Sequence, residues 1–251
     1  MKIFETHAHL DFGQFDKDRD KIIQKCRDNS IELIINVGVD KKTIKATINL
    51  AEKYEEVFAA VGYHPHDAKD LDLSFIKEKA KHPKVVAIGE IGLDYYRNLS
   101  PKDIQKKALI KQIKLAEEIN LPIIIHDRNA HEDIFQILCE HKVKNAVFHC
   151  FSGDEILAEK VLEKGWFLSF TGIITYKNFH LENVVRMVPN DKFFVETDSP
   201  YLAPHPKRGK RNSPLNLRYI IEKIADIKRI SPNQIAEYSF QNASQFFNLQ
   251  L

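Results

Sequence analysis

A closed parallel (β/α)8 TIM barrel is the fold that this sequence predicts, and three observations point to it. Short apolar runs alternate with amphipathic stretches along the whole chain. The chain has 251 residues, close to the roughly 250 that such a barrel takes. No glycine-rich phosphate loop follows the first apolar run, which counts against the runner-up, a doubly wound open sheet. No linker, repeat or low-complexity tract divides the chain, so residues 1–251 are expected to form one α/β domain, with slight distortion of the barrel allowed.

The elements follow in order. The first strand is read at residues 2–6, with a helix at 18–28. Then come a strand at 32–37 and a helix at 41–54, a strand at 57–62 and a helix at 73–81, and a strand at 85–90 and a helix at 101–119. The second half repeats the pattern: strands at 122–126, 146–149, 166–171 and 192–197 precede helices at 131–141, 155–163, 181–188 and 215–229. A last helix covers 232–247. Ser100-Pro101 and Ser231-Pro232 each put serine at an N-cap and proline in the first turn, and Gly165 suits a helix C-terminus.

The 37 basic and 35 acidic residues nearly cancel, so whole-chain charge names no partner, and a polyanion would have to be met by a local patch such as Lys207-Arg208-Gly209-Lys210-Arg211. Cys26, Cys139 and Cys150 are too few and too scattered for a disulfide framework or a thiolate zinc site. The first residues carry no signal-peptide core, and no apolar run approaches the ~20 residues of a membrane helix. A cytoplasmic protein is expected, with no membrane contact and no obligate protein partner.

In a barrel, reactive side chains stand at the C-terminal ends of the strands. Those ends carry His7 and His9 after the first strand, His64 after the third, Glu90 at the fourth, His126 at the fifth, His149 at the sixth and Asp198 at the eighth. Their convergence on one mouth is a stronger signal than any of them alone. His7-Ala8-His9 puts two imidazoles on one face of an extended strand, half of a divalent-metal site, although a short His-x-His is also an ordinary surface or core pair. Glu90 closes a buried run, Val85-Val86-Ala87-Ile88-Gly89, where an unpaired carboxylate is costly. Its two oxygens can bridge two cations; the plainer reading pairs it with Arg97. His126 and His149 end apolar strands, where a lone histidine is usually a satisfied core residue but two beside Glu90 are not. Asp198 can cap a turn onto Ser199-Pro200, or ligate metal and accept a proton from water. Glu196, two residues earlier, is expected one layer deeper, supporting the ligands. Tyr95, Arg97, Arg128, Ser152 and the 207–211 cluster would ring the mouth, Arg128 clamping a phosphate by its planar fork. The cluster is otherwise a solvated loop.

The blocks THAHLD, VGYHPH, IGEIGLDYY, IIIHDR, FHCFSG, ETDSPYLAP and RGKRNSP, in this order, resemble the TatD family of metal-dependent deoxyribonucleases within the amidohydrolase superfamily. The resemblance implies a barrel with two divalent ions, one held by His7, His9, Glu90 and Asp198, the second by Glu90, His126 and His149. It implies contacts from His64 and Arg128 to the scissile phosphate, and it brings Arg208, Arg211 and Asn212 into the expected substrate surface. Two departures stand out. Glu5 occupies a position where the family usually has aspartate, and Ser213 one where it usually has an acidic residue.

The expected activity is hydrolysis of phosphodiester bonds in DNA, at single-stranded ends and, by the resemblance, 3′ to 5′. Asp198 and Glu90 would serve the attacking water and the metals, and His64 and Arg128 the phosphate. The donor set does not choose among Mg, Mn and Zn; Mg or Mn is expected in use, and Zn also fits. Tyr63, Tyr95, Tyr96, Phe151 and Tyr201 are candidates to stack bases. The alternative is a metal-dependent ester or amide hydrolase, including deacylation of mischarged aminoacyl-tRNA.

Overall fold

The computed structural model describes residues 1–249. Eight strands, β1 (Ile3–Ala8), β2 (Ile31–Gly38), β3 (Val57–Val61), β4 (Val85–Asp94), β5 (Ile123–Arg128), β6 (Ala146–Phe148), β7 (Phe167–Phe170) and β8 (Phe193–Val195), pair in parallel in sequence order. The helices between and after them are α1 (Arg19–Asp28), α2 (Lys41–Lys53), α3 (Leu73–Lys79), α4 (Lys102–Glu118), α5 (His131–Glu140), α6 (Glu155–Glu163), α7 (Glu182–Met187), α8 (Leu217–Lys228) and α9 (Pro232–Phe246). The sheet nearly closes on itself. Just past β8, the Asp198 amide donates to the His7 carbonyl at 3.0 Å and the His9 amide to the Ser199 carbonyl at 2.8 Å.

Alternation along the strands sorts two cores. Ile3, Ile31, Ile34, Ile123, Ile125, Phe148, Phe193 and Val195 face outward onto α-helical residues such as Ile23, Ile44, Ile134, Val161 and Ile224. Phe4, Leu33, Ile35, Val37, Ala60, Val86, Ile124, Val147 and Phe194 face inward. The N-terminal end of the barrel is plugged by α9, whose Phe240 and Ala243 join this inner cluster together with Phe247 at its C-cap. Their rings meet Phe4 and Phe194 at centroid distances of 6.0 Å.

Several boundaries differ from expectation in ways that bear on the mouth. β1 runs on through His7 to Ala8, and β4 runs four residues beyond Glu90 with every residue buried. The pairing of β4 with β5 shifts register between Ile88 and Ile91, so Glu90 sits at an irregularity within a strand rather than at its end. Gly92 makes this possible: at φ +156 a Cβ there would lie 1.9 Å from the His126 carbonyl oxygen. Short 3-10 turns at Gly13–Phe15, Pro65–Asp70, Gly172–Thr175 and Pro214–Asn216 were not legible as periodic segments. Ser231 caps α9 with a full capping box to Gln234, and Gly165 takes φ +78 just after α6. Ser100 is not a cap; its hydroxyl donates to the His66 carbonyl, and Pro101 stands at the N-cap of α4. No helix among the described residues is long and apolar enough to cross a membrane.

Candidate metal centre

The inward alternation that fills the barrel floor continues upward with different chemistry. Two residues past Ile124 stands His126, two past Val147 stands His149, and two past Phe194 stands Glu196. From β4 Glu90 enters the same space, and β1 brings His7 and His9. All these side chains are buried or nearly so.

Glu90 organises the cluster through its two oxygens. Oε2 lies 3.4 Å from His7 Nε2 and 3.9 Å from His9 Nε2. Oε1 lies 2.6 Å from His126 Nδ1, 3.7 Å from His149 Nε2 and 3.8 Å from His64 Nε2. Asp198 Oδ1 adds to the first set at 3.4 Å from His9 Nε2. The Arg97 pairing is overturned: the partners of Glu90 are imidazoles, while among the described residues Arg97 makes no ion pair and donates its backbone amide to Asp94.

Hydrogen bonds on the far side of each ring decide which nitrogen carries a lone pair into the cluster. His9 Nδ1 faces the Val37 carbonyl at 2.8 Å, which only accepts, so Nδ1 carries a proton and Nε2 is turned to the cluster; burial lowers the pKa of this imidazole, but Asp198 and Glu90 raise it overall. His126 presents Nδ1 to Glu90 and turns Nε2 toward Asp94 Oδ2 at 3.4 Å. His149 Nδ1 is 2.7 Å from Glu196 Oε1, close but not aligned as a hydrogen bond, which leaves Nε2 pointing inward. His64 is the opposite case. Its Nδ1 accepts from the His66 amide at 3.1 Å, so Nε2 is the protonated nitrogen. That makes His64 a donor toward the cluster, not a ligand.

Burial and charge tell the same story. Burial alone would neutralise Glu90, but His149 and His126 outweigh it and hold its carboxyl well below the usual range. Burial disfavours the imidazolium of His126 and His149, yet Asp94 and Glu90 lift the first to about 9, and Glu196 and Glu90 lift the second to about 10. His7 is pushed down by burial and by His149, and His64 well down by burial and by His126, so both are neutral.

The donors fit a divalent cation. His7, His9 and Asp198 offer atoms within 4.8 Å of one another, and the His7 and His9 Nε2 atoms face each other at 3.3 Å. Two lone pairs at that distance repel unless a proton or a cation lies between them. On the outer sides of these rings, His7 Nδ1 is buried without a hydrogen-bond partner among the described residues and His149 Nδ1 meets Glu196 off-axis.

Three neighbours support the donors. Glu5 accepts from the amides of His7 and Thr197 and from the Thr197 hydroxyl, tying β1 to the segment after β8. The length of its side chain is used to reach across that seam. Glu196 also takes the Thr6 hydroxyl and the Cys150 amide. Asp94, fully buried, faces His66 Nε2 at 2.8 Å as well as His126. Sequence reasoning missed Asp94, because it took β4 to end at Glu90, whereas the strand runs on to Asp94.

The expected substrate contacts divide. Arg128 is exposed at the end of β5, its guanidinium 4.2 Å from the Tyr96 ring centroid. Ser152, Arg97 and Arg208 are exposed around the opening, as are Tyr96 and Tyr201. Others are occupied. Tyr95 gives its hydroxyl to Asp133 of α5. Arg211 is held bidentately by Asp18 and also donates to the Gln14 carbonyl. Asn212 is fully buried and its amide bonds the Thr197 and Tyr201 carbonyls, so it braces the loop carrying Asp198 and cannot reach a substrate. Tyr63 and Phe151 are core residues.

Residues 4–248 match the family described as TatD related DNase. The chain is 44 % identical to the Bacillus subtilis protein named uncharacterized metal-dependent hydrolase YabD, over 98 % of this chain and 99 % of that one. It is 32 % identical to the Erwinia tasmaniensis protein named 3′-5′ ssDNA/RNA exonuclease TatD, over 98 % and 100 % of the two chains. The solved structure of the Escherichia coli TatD homolog YJJV superposes with a TM-score of 0.93 at 28 % identity, covering 99 % of this chain and 98 % of that one.

Proposed function

Because the chain belongs to the family of TatD-related DNases and is a metal-dependent hydrolase, we propose that it cleaves phosphodiester bonds of DNA at single-stranded ends, working 3′ to 5′. The observation that carries this reading is the division of Glu90 between two donor sets, one oxygen toward His7 and His9, the other toward His126 and His149. His7, His9, Glu90 and Asp198 would hold one divalent ion, and Glu90, His126 and His149 a second. Bound there, Mg or Mn (or Zn) would acidify water and offset charge on the phosphate.

The chain's own groups supply the rest. Asp198 is the most exposed of the carboxylates around the donors, at 15 % of its side chain, and so is the one that can meet an attacking water and take its proton. Its place is set by φ +54, a left-handed conformation that aspartate tolerates, and by the bracing of the following loop by Asn212. His64, neutral with its proton on Nε2, donates to a non-bridging phosphate oxygen. Arg128 lies two residues past His126, and its guanidinium, stacked on Tyr96, presents a flat fork to the same group. Charge that develops on the non-bridging oxygens thus meets donors already in place.

The test is release of nucleotides from end-labelled single- and double-stranded DNA, run beside release of amino acid from charged tRNA, with Mg, Mn and Zn each supplied in turn. Nucleotides should leave the single strand, stop when chelator strips the metal, and return when it is restored. Amino-acid release with intact DNA would instead make the protein a deacylase.

A further inference from the structure

Beside the metal mouth, the segments following β6, β7 and β8 line an open cleft of about 830 Å³, within the range of ligand sites. Ser152, three positions past His149, lies on its wall. The described residues that line it include Tyr176, Lys177, Phe179 and Arg208, and none is acidic. The Arg208 guanidinium carbon stands 3.8 Å from the Tyr176 ring centroid, so the planar cation lies on the ring. The Tyr176 hydroxyl donates to the Ala203 carbonyl at 3.1 Å, which fixes the ring in place. Its neighbour Arg211 is tied down by Asp18, whereas Arg208 is exposed and makes no ion pair among the described residues.

We infer that this cleft is the subsite for unpaired nucleotides flanking the scissile phosphate. A base stacks on the outer face of the Arg208–Tyr176 layer, with Phe179 as the opposing apolar wall, and a neighbouring phosphate falls against Lys177. The inference rests on the reading of the mouth as a phosphodiesterase. Two features support the occupant: a flat, pre-positioned cation on an aromatic ring matches the π-face that every base offers, and a lining without carboxylates suits a polyanion. A duplex hides its base faces in its own stack, so this surface favours a single strand and tolerates any sequence.

The experiment measures KM and kcat of the metal-loaded protein on a short single-stranded oligonucleotide, and the quenching of 2-aminopurine placed at its 3′ end. Arg208→Ala should raise KM by about tenfold, the size of one lost base stack, with a smaller fall in kcat, and should relieve the quenching. Arg208→Lys keeps the charge and loses the plane, so it should leave the quenching relieved and KM raised. Tyr176→Leu should do the same if the stack has two layers. Full recovery by lysine, or unchanged KM and quenching in the alanine variant while the unmodified protein digests the strand, would overturn the subsite and leave the phosphodiesterase standing. A protein that digests no strand at all would take both down.

Discussion

The two ends of this barrel are built from the same alternation and spend it differently. At the floor, inward positions carry Phe4, Ile124, Val147 and Phe194, and α9 closes over them with Phe240 and Phe247. Polar groups that enter there are matched: the Ser239 hydroxyl accepts from the Val195 amide, and the Asn242 amide bonds the Asn190 and Phe193 carbonyls. One repeat higher, the same strands carry His126, His149 and Glu196, and buried nitrogens of His7 and His149 have no aligned partner. The difference teaches where stability and chemistry reside. A buried, incompletely satisfied polar cluster is a cost, and here the floor offsets it, leaving the mouth free to bind cations.

The largest effect should come from Glu90→Gln. The substitution keeps shape and removes the one charge that both donor sets share, leaving His126 and His149 without their common counter-ion. Turnover should fall by about a thousandfold or more, the scale of breaking a buried charge pairing. Metal analysis of the purified protein should show both ions depleted. Ordinary turnover with full metal content would show that the two sets do not depend on Glu90.

Phe194→Ala attacks the other end. Phe194 is fully buried and touches Phe167, Phe246 and Phe247 by ring packing. Its truncation should cost about 3–5 kcal/mol in chemical denaturation. Metal content and kcat per folded molecule should stay near those of the parent, because the change lies one repeat below the donors. A variant that kept its stability but lost metal would erase the division between floor and mouth.

Much of this was legible in the sequence, for a reason particular to the fold. Parallel strands buried on both faces read as short apolar runs, so the order of elements followed directly, and the strand ends that carry His7, His9, His64, His126, His149 and Asp198 could be named from those runs. What was not legible depends on contacts across the sheet. The continuation of β4 through Asp94 depends on the register shift against β5 and on the close approach at Gly92. Whether Tyr95, Arg211 and Asn212 face solvent or framework depends on Asp133, Asp18 and two carbonyls supplied by other segments. The tautomer of each histidine depends on a far-side partner, such as Val37 for His9.

The smallest of the three effects bears on how the mouth orients its donors, from Asp94 at the last position of β4. Asp94 touches no donor atom of the cluster; it faces the outer nitrogen of His126 and that of His66. Asp94→Asn should weaken metal binding about 10–100-fold, as loss of such an orienting partner does. The size should depend on pH, with a sign that follows from His126. Burial lowers the pKa of that imidazole, but Asp94 and Glu90 raise it to about 9 in the metal-free protein. Its proton therefore contributes stability to the metal-free fold that is fully present below the unfolded value of about 6.5 and lost as pH rises through 9. A metal must displace that proton, and the one that Glu196 and Glu90 hold on His149 up to about 10, so affinity in the parent climbs with pH through this range. Without Asp94 the imidazole gives up its proton more easily, which offsets part of the lost orientation in acid and none of it in base. The deficit of the variant, followed by competition with a chelator from pH 6.5 to 9, should widen as pH rises. A deficit that is constant or narrows with pH would mean that Asp94 holds His66 and the turn at Arg97 but does not tune the ligand.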